Sequence, residues 1–187
     1  MVRGIEKCRI VDDAKDRRRF LARLGDAAVS KGMIIYAWSL MGNHAHLLLW
    51  TGPVGLPSFT RSLLTGYAID YNRRHGRHGH LFQNRYKSIM CEEDAYFREL
   101  VRYIHLNPIR AGLVKGLDQL DTYRWSGHSM LMGEVGYGWQ DRAYVLSWFG
   151  RKERDALRAY REFMQEGLAL GRRPDCLGSP HRLSPNA

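Results

Sequence analysis

Residues 33–50 read MIIYAWSLMGNHAHLLLW, and this stretch decides the fold. Two apolar, β-rich runs, 33–40 and 44–50, flank Met41-Gly42-Asn43. Runs of that kind joined by turn residues predict an antiparallel hairpin. A strand has period two, so His44 and His46 project from one face while Ala45, Leu47 and Leu49 point the other way, into a core. Two imidazoles side by side on one face suit a shared cation. A solvated polar face is the plainer use of the same tripeptide.

Outward from the hairpin the chain alternates between helices and short extended runs. Residues 12–31 predict a helix that Asp12 or Asp13 caps and Gly32 stops, with Phe20, Leu24 and Ala28 on its inner face. Residues 51–57 are a loop. Ser58 is expected to cap a second helix, to Arg74, with Phe59, Leu63, Tyr67 and Tyr71 on one stripe. A Gly/His/Arg loop, 75–80, precedes an expected strand at 85–91. Glu92, Glu93 and Asp94 favour the start of a third helix. That helix carries Phe97, Leu100, Val101 and Ile104 as a core stripe, and Pro108 is expected to end or kink it. After residue 127, Gly133, Gly136 and Gly138 read as a flexible connection to a helical tail over 141–170, broken near Gly150, with 171–187 fraying. The pattern predicts an α+β fold: an antiparallel sheet with helices on one face over residues 1–127, and a helical C-terminal extension over 128–187.

The chain has 187 residues, 44% hydrophobic and 26% charged, which is the composition of a folded domain. Its 29 Lys and Arg outnumber 19 Asp and Glu, giving a net charge of +10. That excess calls for a polyanion, nucleic acid before an anionic membrane. No apolar run reaches the roughly 18 residues that a span needs, and no apolar signal core follows the N-terminus. Cys8, Cys91 and Cys176 are unpatterned, which suits a reducing, cytoplasmic and nucleoid-associated place. Half of the excess charge lies in residues 61–90, where Arg61, Arg73, Arg74, Arg77, Arg85 and Lys87 face Asp70 alone. Tyr67, Tyr71, Phe82 and Tyr86 are interleaved with them. Cations with exposed aromatics suit single-stranded nucleic acid, and a solvated loop beside core aromatics explains the same residues equally well.

Tyr103 and Asn107 are four apart on the third helix, so they share a side. At 100° per residue Tyr103 sits roughly 110° from the centre of the core stripe, flanking the core rather than filling it. Asn107 before Pro108 also reads as a helix cap. Two strand histidines and a helix amide oxygen can together hold a divalent metal, with a tyrosine one turn away as nucleophile toward a bound phosphate. A phenol is mostly protonated at neutral pH, and no dedicated base is evident; His105 falls on another face. A zinc hydrolase built on His44 and His46 is a second possibility, without a clear general-base carboxylate.

These residues resemble a known family. Residues 41–48, MGNHAHLL, resemble the His-hydrophobic-His motif of the single-tyrosine HUH transposases. Residues 79–87, GHLFQNRYK, and 103–114, YIHLNPIRAGLV, resemble the REP-associated tyrosine transposase branch, and 121–126, DTYRWS, fits the segment that follows. The resemblance spans residues 2–127 and implies a ferredoxin-like antiparallel sheet. It implies a DNA nuclease and strand transferase acting on single-stranded, hairpin-bearing DNA, as a monomer or homodimer. It makes His44, His46 and Asn107 ligands of Mg²⁺ or Mn²⁺, and Tyr103 the nucleophile of a 5′-phosphotyrosine intermediate with a free 3′-hydroxyl. Arg110 joins the DNA-contacting cations. Two departures stand out. Gly42 replaces the usual proline, and residues 1–4 are a stub of the strand that normally opens the fold, which predicts an open edge or an uncovered core face. A catalytically inactive protein that binds structured nucleic acid on the same scaffold is the alternative.

Overall fold

The hairpin forms as its alternation demands. In a computed structural model of the chain, residues 1–83, 86–90, 94–134 and 136–170 are described. Strands β2 (Ile34–Leu40) and β3 (His44–Trp50) pair antiparallel, from Leu40 opposite Ala45 to Ile34 opposite Trp50. An irregularity between Ile35 and Ala37 shifts the register. Strand β1 (Val2–Arg3) pairs antiparallel with the other edge of β3, Arg3 opposite His44 and Val2 opposite Ala45. The sheet order is β1-β3-β2.

Helix α1 (Ala14–Lys31) is capped by Asp13, whose side chain accepts from the amides of Lys15 and Asp16. It ends at Gly32, whose φ of 63° is the left-handed cap that glycine adopts without a Cβ penalty. Helix α2 (Gly55–His75) starts earlier than expected: Ser58 lies inside it and does not cap it. Pro57 is tolerated because the first turn has no intrahelical acceptor for its missing N–H. Phe59, Leu63, Tyr67 and Tyr71 are buried against α1 and the sheet. Helix α3 (Asp94–Arg110) continues two residues past Pro108, which neither ends it nor leaves the last turn unbonded, since Ala111 N donates to the Asn107 carbonyl.

The expected strand at 85–91 is corrected. Residues 86–90 form no strand, with Ser88, Ile89 and Met90 exposed. Edge pairing falls earlier instead, with a bridge between Gly4 and Phe82 and bonds from Ile5 N to Leu81 O and Gln83 N to Arg3 O. Lys87 still pairs with Met1, its N–H donating to the Met1 carbonyl at 2.9 Å and its carbonyl accepting from the Met1 amino group at 2.8 Å. Arg85, Cys91, Glu92, Glu93 and the tail 171–187 lie outside the described residues.

Four further helices follow: α4 (Leu117–Asp121), α5 (Gly127–Leu131), α6 (Arg142–Ser147) and α7 (Glu153–Ala169). The α+β class and the antiparallel sheet are as expected, but the helices are divided between both faces. Trp38, Leu40, Ala45, Leu47 and Leu49 pack in one cluster with α1 and α2. Ala37 and Leu48, of opposite parity, pack in a second with α3 and the helices beyond residue 116. The hairpin is apolar on both sides, so both sides must be covered. The outer edge of β2 is closed by the bonds Leu40 N to Trp125 O and Asp141 N to Ile35 O. Among the described residues no helix is long and apolar enough to cross a membrane.

Candidate active site

The face of β3 that carries the histidines lies against α3. The rings of His44 and His46 are 5.0 Å apart, edge to face, and the ring of His46 is 5.7 Å from that of Tyr103. Asn107, one turn beyond Tyr103, lines the same cavity of about 1410 Å³ as these three. The structure thus brings together residues that sequence placed on a strand and on a helix more than fifty positions later. Arg110 holds its guanidinium 5.6 Å from the centroid of the Tyr103 ring.

The hydrogen bonds set the histidine chemistry. Asn43 Nδ2 donates to the Lys7 carbonyl at 3.1 Å, which leaves Asn43 Oδ1 facing His44 Nδ1 at 2.6 Å. An amide oxygen only accepts, so His44 Nδ1 carries the proton and Nε2 keeps its lone pair. Burial, and then the charge of Arg3, lowers His44 to about 4. Burial, and then His44 and Arg3, lowers His46 to about 3. Both rings are neutral at pH 7, the form that ligates a metal. The buried Asn107 Nδ2 has no hydrogen-bond partner. Rotating the amide by half a turn exchanges its oxygen and nitrogen, so this end is a polar group that no protein atom satisfies. Two neutral imidazoles and an unsatisfied carboxamide fit a divalent cation.

A second cluster has ligand spacing. Asp12, Asp16 and His75 place their ligand atoms within 4.8 Å of one another. Its groups are already engaged. Asp16 accepts from Arg74, from His75 Nε2 at 2.9 Å and from Asp12 N at 3.0 Å. Asp12 accepts from the Tyr71 hydroxyl at 2.5 Å and pairs with Arg9 at 3.0 Å. Two guanidiniums supply the cationic charge here, and the cluster ties the start of α1 to the end of α2.

The model of the IS200-like transposase family matches residues 4–107, which takes in the hairpin and α3 as far as Asn107. The chain belongs to the IS200-like transposase family. Its fold is similar to a solved structure described as a REP-associated tyrosine transposase bound to a REP hairpin, with a TM-score of 0.56 and 14% identity. The alignment covers 74% of this chain and 86% of that one. No curated protein matches.

In this IS200-like transposase the basic residues do not act as one group. Lys87 and Arg110 line the cavity, as does Arg3, which sequence treated only as part of a stub. Arg61 and Arg73 are exposed on α2 and do not line the cavity, although Thr60 beside Arg61 does, and Arg73 pairs with Asp70 at 3.4 Å. Arg74 is committed to Asp13 and Asp16, and Arg77 sits over the Tyr71 ring at 5.9 Å. The interleaved aromatics Tyr67 and Tyr71 are core residues, so they offer no stacking surface. Asn43 was legible only as turn chemistry; its place directly before His44 is the one signal of its second role.

Proposed function

We propose that this transposase cuts and rejoins single-stranded, hairpin-bearing DNA through a tyrosine-linked intermediate. The observation that supports it is one cavity lined by His44, His46, Tyr103 and Asn107, in which Arg3, Lys87 and Arg110 are the charged side chains and no carboxylate occurs among the described residues. Tyr103 Oη attacks the phosphorus and gives up its proton to solvent, which supplies one to the leaving oxygen. The bond to the 3′ oxygen breaks, and that oxygen leaves as a hydroxyl once it takes up a proton. The product is a 5′-phosphotyrosine, and reversal by a 3′-hydroxyl rejoins strands. His44, His46 and Asn107 would hold Mg²⁺ or Mn²⁺, which polarises the phosphoryl oxygen. Arg110 brings positive charge to the attacking side, and Arg3 and Lys87 draw the phosphate backbone toward the site. A hairpin as the DNA partner takes support from the similar structure, whose description names one. Such a partner places the protein in the cytoplasm at the nucleoid. A zinc hydrolase has less support, because it needs a general-base carboxylate, which does not occur among the described lining residues.

The test is a denaturing gel. Hairpin-bearing single-stranded DNA with Mg²⁺ or Mn²⁺ is expected to give a covalent protein–DNA adduct that disappears in Tyr103→Phe. Binding without an adduct in the unmodified protein sinks the enzymatic reading and leaves a structured-DNA binder.

A further inference from the structure

We propose that Trp50 is a stacking platform for a base of the strand that enters the cavity, an inference that rests on the reading of the site as one for single-stranded DNA. Trp50 is 53% exposed, and it is the only exposed one of the five tryptophans. Its backbone pairs in the sheet opposite Ile34, but its indole makes no ring contact and no hydrogen bond with other described residues. Folding alone does not explain a bare indole, since burying it is favourable.

Its position explains it. Strand alternation puts Trp50 on the face of His44, His46 and Leu48, at the end of β3 and in the lining of the same cavity. Four residues of strand separate it from His46 by roughly 13 Å. Ile89 and Met90, 60% and 82% exposed, line the cavity with it. The wall is thus largely apolar and aromatic, while its charged side chains among the described residues are cations only. That combination matches a ligand with flat apolar faces strung on a polyanion, which is a single nucleic-acid strand. Tyr67 and Tyr71 do not compete for this role, because they are in the core; Tyr86 lines the same cavity but is half-buried, where Trp50 is exposed.

Binding of a dye-labelled oligothymidylate, followed by anisotropy at fixed salt, tests the proposal. Trp50→Ala is expected to weaken binding about 5- to 150-fold, the range that loss of one base–aromatic stack gives. Trp50→Phe is expected to keep most of the affinity. A fully abasic strand of equal length carries the same charge, and both proteins are expected to bind it alike. In the unmodified protein the oligothymidylate is expected to quench tryptophan emission, and Trp50→Phe is expected to lose most of that quench. Equal affinity of Trp50→Ala and the unmodified protein for oligothymidylate overturns the proposal alone. So does an equal loss on the abasic strand, or an unchanged quench in Trp50→Phe, which also decides the matter if Trp50→Ala does not fold. Failure of the unmodified protein to bind any single strand overturns the DNA reading, and this inference with it.

Discussion

At the residue scale, Asn43 controls more than its size suggests. Its amide fixes which nitrogen of His44 is bare, and if His44 holds the proposed metal, a group that orients it in this way typically changes metal affinity 10- to 100-fold when removed. Asn43→Ala is therefore expected to raise the Mn²⁺ concentration giving half-maximal adduct by about 10- to 100-fold. An unchanged metal requirement would show that the His44 tautomer does not depend on this bond. That His44 and His46 share a face was legible from period two alone, because alternation needs no knowledge of distant sequence; that they form a candidate site came from the family resemblance. Asn43 was not, since a carboxamide in a turn has an adequate local explanation. Nor was Arg3, which reaches the site only through its register opposite His44.

At the scale of elements, α3 is the centre of the molecule. Sequence gave it one apolar stripe and left Tyr103 on the flank, which the half-buried position of Tyr103 matches. It did not show that a second side is buried. Arg102, His105 and Leu106 face α7, a helix more than forty residues away in sequence, and periodicity cannot find a partner at that distance. Arg102 holds Glu99 at 2.7 Å and sits 4.0 Å over Phe163. Gly167 lets the two helices meet, because a Cβ there would press on Arg102 and Leu106. The Tyr160 hydroxyl lies 2.8 Å from His105 Nδ1 and 2.7 Å from His128 Nδ1, and His128 Nε2 donates to Asp121 at 2.7 Å. These contacts fix every proton: Tyr160 donates to His128 and accepts from His105. Tyr160→Phe leaves two buried ring nitrogens unpaired, each a loss of about 1–3 kcal/mol. A clear fall in urea midpoint is expected, and a midpoint equal to that of the unmodified protein would show that the network is not closed through this hydroxyl.

At the scale of the whole molecule, charge sets how the protein responds to its medium. Burial lowers His128, more than Asp121 raises it, so this ring is neutral when folded. Burial pushes Asp16 up, but its bonds from Asp12 N, Arg74 and His75 outweigh that and hold it below the usual carboxylate range. Asp121 behaves likewise, through His128 and Arg161. In each case the unfolded chain takes up protons first as pH falls, below about 6.5 for the histidine and about 4 for the carboxylates. Stability is therefore expected to be highest near neutrality and to fall on acidification, most steeply in the carboxylate range. Urea midpoints at neutral, mildly acid and strongly acid pH check this, and Asp16→Asn is expected to flatten the acid limb. DNA binding is expected to weaken with salt, and Lys87→Ala to reduce the slope of log K against log salt by about 0.7, the share of one phosphate contact on a single strand. The overall +10 was legible, but its division was not. Arg74 looked like its neighbours until folding brought Asp13 and Asp16 beside it.

The clamp between α3 and α7 also has a mechanical side. Under the proposed mechanism a strand joined to Tyr103 would be a tether, and tension on it would act at one point of one helix. A tyrosine on a loop would yield to that pull. Here the helix is bolted on its opposite side, at Arg102, His105 and Leu106, within a turn of Tyr103, so the lever arm would be short and the load would pass directly into the C-terminal helices. On that mechanism the C-terminal helices would act as an anchor plate, and a chain cut before α7 would carry the same tether on a support free to rock.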